Sequence, residues 1–388
     1  MLNRQRGQVL QASFGGARGL GGAGGAGGAG GAIGLGGAGG AGGAGGAGGA
    51  GGAGGAGGAG GAGGAASDSG LDIGGAITSR DGIVDAFDPS ALQSPTLGPL
   101  DAVLPIKRWE PWIRANLFDT ELTRGLEYEV VGEHGLRLQL ACGGGPLVTL
   151  FRPDAPASMA RQVELVAEYA ALREDRAAEI LSQVPQLATY WASVVGLHPN
   201  RTPRTLELLG AVVRLAISVE MRFKHAFAFP RPMQYSAQIQ PMILTPQHSS
   251  YPSGHSTEAH AVAYTLLHLL GDSQTSLRGR TLLRLAQRIA INRTVAGVHF
   301  PIDSRCGRVL GMGLAGYVAA RCTGPSTALT HLTFSPTPEA MDADFMLQPP
   351  GQAALGIGEQ AGPANPWSGD AAQDLLAWLW DEAKQELP

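Results

Sequence analysis

The chain has 388 residues, with 28 Lys and Arg against 32 Asp and Glu and a formal net charge of −4. That balance excludes a general nucleic-acid or acidic-membrane binder. The most apolar run, "VLGMGLAGYVAA" between Arg308 and Arg321, is twelve residues long, against the roughly 18 or more that a membrane-spanning helix needs. Residues 1–66 are dominated by Gly-Gly-Ala repeats that hold most of the 60 glycines. The spacing of Gly resembles a collagen repeat, but the Pro that stiffens such a helix is missing, so a disordered low-complexity tract is expected. The opening "MLNRQRGQVLQASFGG" has basic residues but no apolar segment and does not read as a signal peptide. A soluble protein without membrane insertion is expected, with the cytoplasm favoured and the compartment left open.

Residues 67–154 form an N-terminal extension rich in Pro, Gly and Asp signals, with one amphipathic piece around "IKRWEPWIRANLFD". Alternation and Gly turns in 126–152 predict one or two hairpins there. From about residue 155 the periodicity becomes helical. "PASMARQVELVAEYAALRED" carries an apolar stripe at Val163, Val166, Tyr169 and Ala170, and the following helical segment is interrupted by Pro185. The clearest helix is "TPRTLELLGAVVRLAISVEMRFKHAF", with Leu208, Val212, Leu215, Val219 and Phe223 on one face, stopping before Pro230 and Pro232. A polar loop over 230–252 precedes helices over about 254–271, 277–294 and 303–321. Residues 155–322 are therefore expected to be an all-α helical bundle that carries the chemistry. The tail, 323–388, closes in an amphipathic helix with a stripe at Leu375, Leu376, Leu379 and Trp380, suited to the chain's own body or to a homo-oligomer contact. Cys142, Cys306 and Cys322, odd in number and irregularly spaced, read as buried thiols rather than a disulfide or zinc framework.

Three clusters stand at helix or loop edges. The first is Lys224, six residues, then Arg231-Pro232; the second is Pro252-Ser253-Gly254-His255; the third is Arg293, five residues, His299, three residues, Asp303. Taken singly, each has a plain reading: a helix cap, a helix end, a surface or core His–Asp pair. Together they offer a pocket for an anion. A helix N-terminus presents unpaired N–H groups and a positive dipole end. Gly254 lets the backbone approach a bound group, Ser253 adds a hydroxyl, and Lys224, Arg231 and Arg293 add charge, the Arg forks suiting a tetrahedral oxyanion. Asp303, four residues after His299, can hold one ring nitrogen as N–H and leave the other to attack or to ligate. His255 is placed to act as general acid or base.

This ordered set resembles the superfamily of type 2 phosphatidic acid phosphatases and vanadium-dependent haloperoxidases. Its pattern is Lys, six residues, Arg-Pro; Pro-Ser-Gly-His; and Ser-Arg, five residues, His, three residues, Asp. The sequence matches at Lys224, Arg231, Pro232, Pro252, Ser253, Gly254, His255, Arg293, His299 and Asp303. Asn292 stands where the pattern has Ser, and the resemblance covers roughly residues 155–322. It implies that Lys224, Arg231, Ser253, Gly254 and Arg293 hold the oxygens of phosphate or vanadate. In the phosphatases the residue matching His299 attacks phosphorus and the one matching His255 protonates the leaving oxygen; in the haloperoxidases the residue matching His299 ligates vanadium and the one matching His255 assists hydrogen peroxide binding.

Two features favour the haloperoxidase branch. His248 precedes Ser-Tyr-Pro-Ser-Gly-His, as in bromide-oxidising members, whereas the chloride-oxidising fungal type has an aromatic residue there; the plain reading is a solvated loop histidine. Lipid phosphatases of the superfamily place their pocket among membrane-spanning helices, which this sequence lacks. The expectation is a vanadate-binding enzyme using hydrogen peroxide to oxidise a halide, bromide first, that then halogenates a small organic acceptor. A soluble acid phosphatase is the alternative. A Gly/Ala-rich interaction or surface protein with an inactive pocket is the remote one.

Overall fold

In the computed structural model the described residues are 89–154, 159–184, 187–345 and 352–388. The Gly/Ala tract with its expected disorder, and Pro185, lie outside them. The chain divides into two compact units, Met1–Arg114 and Ala115–Pro388. The described part of the first has 3₁₀ turns at Pro89–Ala91 and Leu104–Arg108. There the Arg114 guanidinium donates to the Ile106 carbonyl (3.3 Å) and to that of Trp109. Helix α1, Pro111–Thr123, starts with Pro at its first position, where the missing N–H costs nothing.

The second unit continues with strands β1 (Leu126–Val131), β2 (Gly135–Leu140) and β3 (Gly145–Phe151), then helices α2 (Ala160–Tyr169), α3 (Arg173–Ser182), α4 (Ala188–Val195), α5 (Pro203–Phe227) and the short α6 (Pro232–Tyr235). There follow α7 (Gly254–Leu270), α8 (Leu277–Val295), α9 (Pro301–Thr323), β4 (Thr330–Phe334), α10 (Pro338–Asp342), β5 (Ile357–Ala361) and α11 (Leu375–Glu386). The hairpins expected in 126–152 are present, since β1–β2 and β2–β3 are antiparallel. The described residues are mostly helical with one small five-stranded sheet, ordered β1-β2-β3-β4-β5, which is wider than the hairpins expected. β4 and β5 come from the tail. β4 runs parallel to β3, with Val148 opposite Leu332 and Leu150 opposite Phe334.

The helices form where the periodicity places them. All five residues of the α5 stripe are buried, and α5 ends with Ala228 in the left-handed region (φ 47°), two residues before Pro230. α7 and α9 lie close together because Gly307 and Gly311 face α7. A Cβ on Gly307 would come within 2.6 Å of the Ser253 carbonyl oxygen, and one on Gly311 within 2.5 Å of that of Thr257. Gly313, further along α9, faces Val148 and Leu332 of the sheet. The terminal helix packs on the chain's own body: Leu376, Leu379 and Trp380 are buried, and Leu375 is half-buried. The Glu386 carboxylate accepts from the N–H groups of Arg204 and Thr205 (2.9 and 2.7 Å), capping the positive end of α5. Cys306 and Cys322 are buried free thiols as expected, whereas Cys142 is exposed in the turn before β3, where φ is 57°.

The sheet also anchors the loop that leads into α7. The Tyr251 hydroxyl donates to the Phe151 carbonyl at the end of β3 (2.7 Å), and Arg152 donates to the Phe227 carbonyl (2.9 Å). The Tyr251 ring meets Phe227 edge-on at 5.5 Å and Phe229 at a tilt at 5.8 Å, and Phe227 continues through Phe223 to Tyr128 of β1. Among the described residues no helix is long and apolar enough to cross a membrane.

Candidate active site

Lys224 stands in the last turn of α5 and is buried, its ammonium donating to the carbonyls of Ser249 (3.2 Å), Ser250 (3.4 Å) and Pro252. The loop before α7 thus closes over the lysine. Arg231, just before α6, is also buried. Its Nε donates to the His248 carbonyl (3.1 Å) and its Nη1 to the Val298 carbonyl (2.8 Å). Nη1 and Nη2 also reach the rings of His299 (Nε2, 3.2 Å) and His248 (Nδ1, 3.2 Å). Arg231 therefore brings together two histidines that lie far apart in sequence.

A guanidinium only donates, which fixes the His299 tautomer, with Nε2 the acceptor. His248 Nδ1 lies between the Arg231 fork (3.2 Å) and the Ser249 carbonyl (3.3 Å), which ask opposite roles of it. The proton of the neutral His299 ring then lies on Nδ1, 3.0 Å from Asp303 Oδ2. That oxygen also accepts the Phe300 N–H (2.9 Å) and the Ser250 hydroxyl. Asp303 is in the first turn of α9, so one carboxylate caps a helix and orients a ring. Burial pushes Asp303 up to about 6, against the Ser250 and Phe300 hydrogen bonds and the charges of Lys224 and Arg231. His299 is driven well below its ordinary value, first by burial and then by Arg231, Lys224, His255 and His248. At neutral pH the ring is neutral, with the lone pair on Nε2.

Ser253 is the N-cap residue of α7, yet its hydroxyl makes no cap bond and is buried without a partner. The helix start and the pocket are thus the same feature, with the hydroxyl left for the pocket. Gly254 has a reason beyond approach to a ligand: a Cβ there would lie 2.5 Å from Glu220 Oε1. His255, in the first turn of α7, points Nε2 at the Gln183 carbonyl (3.2 Å), so Nε2 carries the proton. Its ring is held down to about 3, chiefly by burial and next by Arg293. Arg293, near the end of α8, is buried with Nη2 donating to the Ile180 carbonyl (3.1 Å) and Gln183 Oε1 (3.0 Å). Its Nε and Nη1 are buried without a partner, a costly state for a cation unless another acceptor is supplied.

Every residue expected at the site thus falls in one electrostatic neighbourhood, through Arg231–His299–Asp303 on one side and His255–Arg293 on the other. Residues that gave no signal in the sequence are Gln183, Ser250, Glu220 and Glu258. Glu220 lies one turn before Lys224, a spacing that places it on the same face of α5. It is buried with Oε2 unpartnered, and its carboxyl is pushed well above the usual range by burial and by Glu258. Glu258, one turn into α7, is raised to about 7 by burial, against Lys224 and Arg293.

These features define a helical domain with buried cationic and histidine side chains gathered at a helix N-terminus. The model of the PAP2 superfamily matches residues 205–324, the span from α5 to the end of α9. That segment is similar to the superfamily, whose members are generally phosphatase-like or haloperoxidase-like enzymes. No curated protein matches the chain.

Burial holds Lys224 down to about 8, helped by Arg231 and opposed by Glu220, Asp303 and Glu258. The charged form is the one that holds an anion, so affinity is expected to be full below about 8 and to fall as pH rises through it. Phosphate titration by calorimetry from about pH 6 to 10 reads this limb. Lys224→Met is expected to weaken binding at low pH and flatten the limb; an unaltered limb in that variant would remove Lys224 from the pocket's charge.

Proposed function

We propose that the pocket binds a tetrahedral oxyanion and works as a vanadium-dependent haloperoxidase, with vanadate as its resident group and phosphate competing for the same place. What supports an oxyanion is the set of buried donors without protein partners: Arg293 Nε and Nη1 and the Ser253 hydroxyl. Ser253 stands at the start of α7, whose first N–H groups no helical carbonyl accepts, and the charge of Arg293 acts on His255 in that first turn. The donor set fits vanadate, since oxygens held by cations and N–H groups need only one protein ligand on the central atom. Among the described residues no cluster of three or more His, Cys, Asp or Glu offers a conventional metal site.

Arg293, Ser253 and the Gly254 N–H would hold the oxygens, Lys224 and Arg231, whose N–H groups go to protein acceptors, would supply positive charge, and His299 Nε2 would be the protein ligand. Bound vanadate would supply activation of hydrogen peroxide for oxidation of a halide, bromide first, to a hypohalous acid equivalent that halogenates a small organic acceptor. Asp303 keeps the Nδ1 proton in place, so that Nε2 keeps its lone pair. His255, its Nε2 proton committed to the Gln183 carbonyl, has Nδ1 left to take a proton from peroxide. His248, on Arg231 at the exposed rim, favours this branch.

The His299–Asp303 pair also supports the second reading, a phosphatase. There Nε2 attacks phosphorus, the ester P–O bond breaks, and the leaving oxygen takes a proton from protonated His255. Water then attacks the phospho-histidine and releases phosphate. Burial and Arg293 hold His255 neutral in the free pocket; a bound dianion offsets both and favours its protonation.

A paired assay tests the choice. Protein charged with orthovanadate is expected to brominate a dione reporter with bromide and hydrogen peroxide. Turnover of p-nitrophenyl phosphate with no bromination would replace this reading by the phosphatase. His248→Ala is expected to lower bromide oxidation by about tenfold, the usual weight of one positioned polar group, and ester hydrolysis by less than about twofold. Equal effects on the two would make His248 a structural partner of Arg231 alone.

A further inference from the structure

Gln183, just past the end of α3, lies outside both the sequence pattern and the matched segment. It is fully buried and both ends of its side-chain amide are hydrogen-bonded. Oε1 accepts from Arg293 Nη2 (3.0 Å) and from Asn292 Nδ2 (3.0 Å), while Nε2 donates to Glu179 Oε1 (3.1 Å). Two donors on one end and a carboxylate on the other allow one orientation of the amide; flipping it would set NH₂ against both donors. The partners are themselves fixed. Arg288 pairs with Glu179 at 2.7 Å, and Arg176 donates to Asn292 Oδ1 at 3.3 Å. Asn292 is the residue that departs from the Ser of the family pattern. Its amide supplies the second donor to Gln183, so the departure and the glutamine belong to one network.

We infer that Gln183 is a positioning residue for the oxyanion pocket, holding Arg293 by Nη2 so that Nε and Nη1 face the anion, and fixing the His255 tautomer through its main-chain carbonyl. This rests on the oxyanion reading of the pocket. Among the described residues Arg293 has two acceptors, the Ile180 carbonyl and Gln183 Oε1, both on Nη2. Without the glutamine oxygen one remains, and the fork is free to rotate about it. The carbonyl contact to His255 belongs to the backbone, so substituting the side chain removes the Arg293 function and leaves the His255 function in place.

The test is a double-mutant cycle on the full chain, reading the Kd of inorganic phosphate and of orthovanadate by calorimetry for wild type, Gln183→Leu, Arg293→Ala and the double variant. Gln183→Leu is expected to weaken both anions about tenfold, the weight of one charge-assisted hydrogen bond. In the Arg293→Ala background the same change is expected to alter Kd by less than about twofold, because its target is gone. Additive losses, or an unaltered Kd in Gln183→Leu, overturn the assignment. Gln183→Met, closer in shape, is read in the same cycle if the Leu variant does not fold; failure of both to fold would make the residue structural and also overturn it. Wild-type protein that binds neither anion would instead refute the pocket reading itself.

Discussion

Replacing His299 by Ala is expected to lower kcat by on the order of 10⁴-fold or more, in whichever of the two activities the protein carries. The size follows from the number of things one atom does. Nε2 bears the one ring lone pair that Asp303 and Arg231 together define, 3.2 Å from the Arg231 fork. On the proposed readings it would be the nucleophile in phosphoryl transfer or the protein ligand in vanadate binding, and neither role passes to a neighbour. His255 cannot substitute, because its proton lies on Nε2 toward Gln183, on another element. The Ala variant also removes a neutral ring from beside Arg231, so the fold and the cationic donors are retained. Phosphate affinity, set mainly by Lys224, Arg231 and Arg293, is therefore expected to change far less than kcat. Turnover within about tenfold of wild type would refute the assignment of His299.

Much of this site was legible because chemistry and periodicity coincide. Lys224, Arg231, Ser253, His255, Arg293 and His299 all sit at ends of strongly periodic segments, so the same reasoning gives helix boundaries and candidate site residues. Their ordered spacing then carried more than any one residue. The sheet was only half legible. β1–β3 alternate within one short stretch and turn at Gly. β4, "THLTF", is five residues long and gains its partner from β3, far back in the chain; no local pattern reports a parallel pairing at that distance. Ser253 was ambiguous between cap and pocket because both need Ser before a helix, and only the absence of a cap bond from its hydroxyl separates them. Gln183 was invisible for a different reason. A polar residue after an amphipathic helix looks like solvent-facing chain, and what makes it part of the site is burial against α8, a tertiary fact.

The Asp303→Asn variant isolates tautomer from charge and is expected to lower kcat by about 10³- to 10⁴-fold, as in other histidines deprived of an orienting carboxylate. In the wild type Oδ2 collects three donors, His299 Nδ1–H, the Phe300 N–H and the Ser250 hydroxyl. An Asn of the same shape still offers an oxygen to the Phe300 N–H, which α9 needs at its start. Its NH₂ then takes the place of Oδ1, which is buried without a partner, and the single amide oxygen must serve Phe300, Ser250 and His299 without the charge that favours the Nδ1–H form. Ring ¹⁵N shifts report which nitrogen of His299 is protonated, and a larger share of the Nε2–H form, which lacks the Nε2 lone pair, is expected. Anion affinity should hold within a few-fold, since no donor is lost and a buried negative charge is removed from beside Lys224 and Arg231. A variant with the Nε2–H tautomer and undiminished kcat would show that the Nε2 lone pair takes no part in turnover, and both readings of the pocket would fall with it.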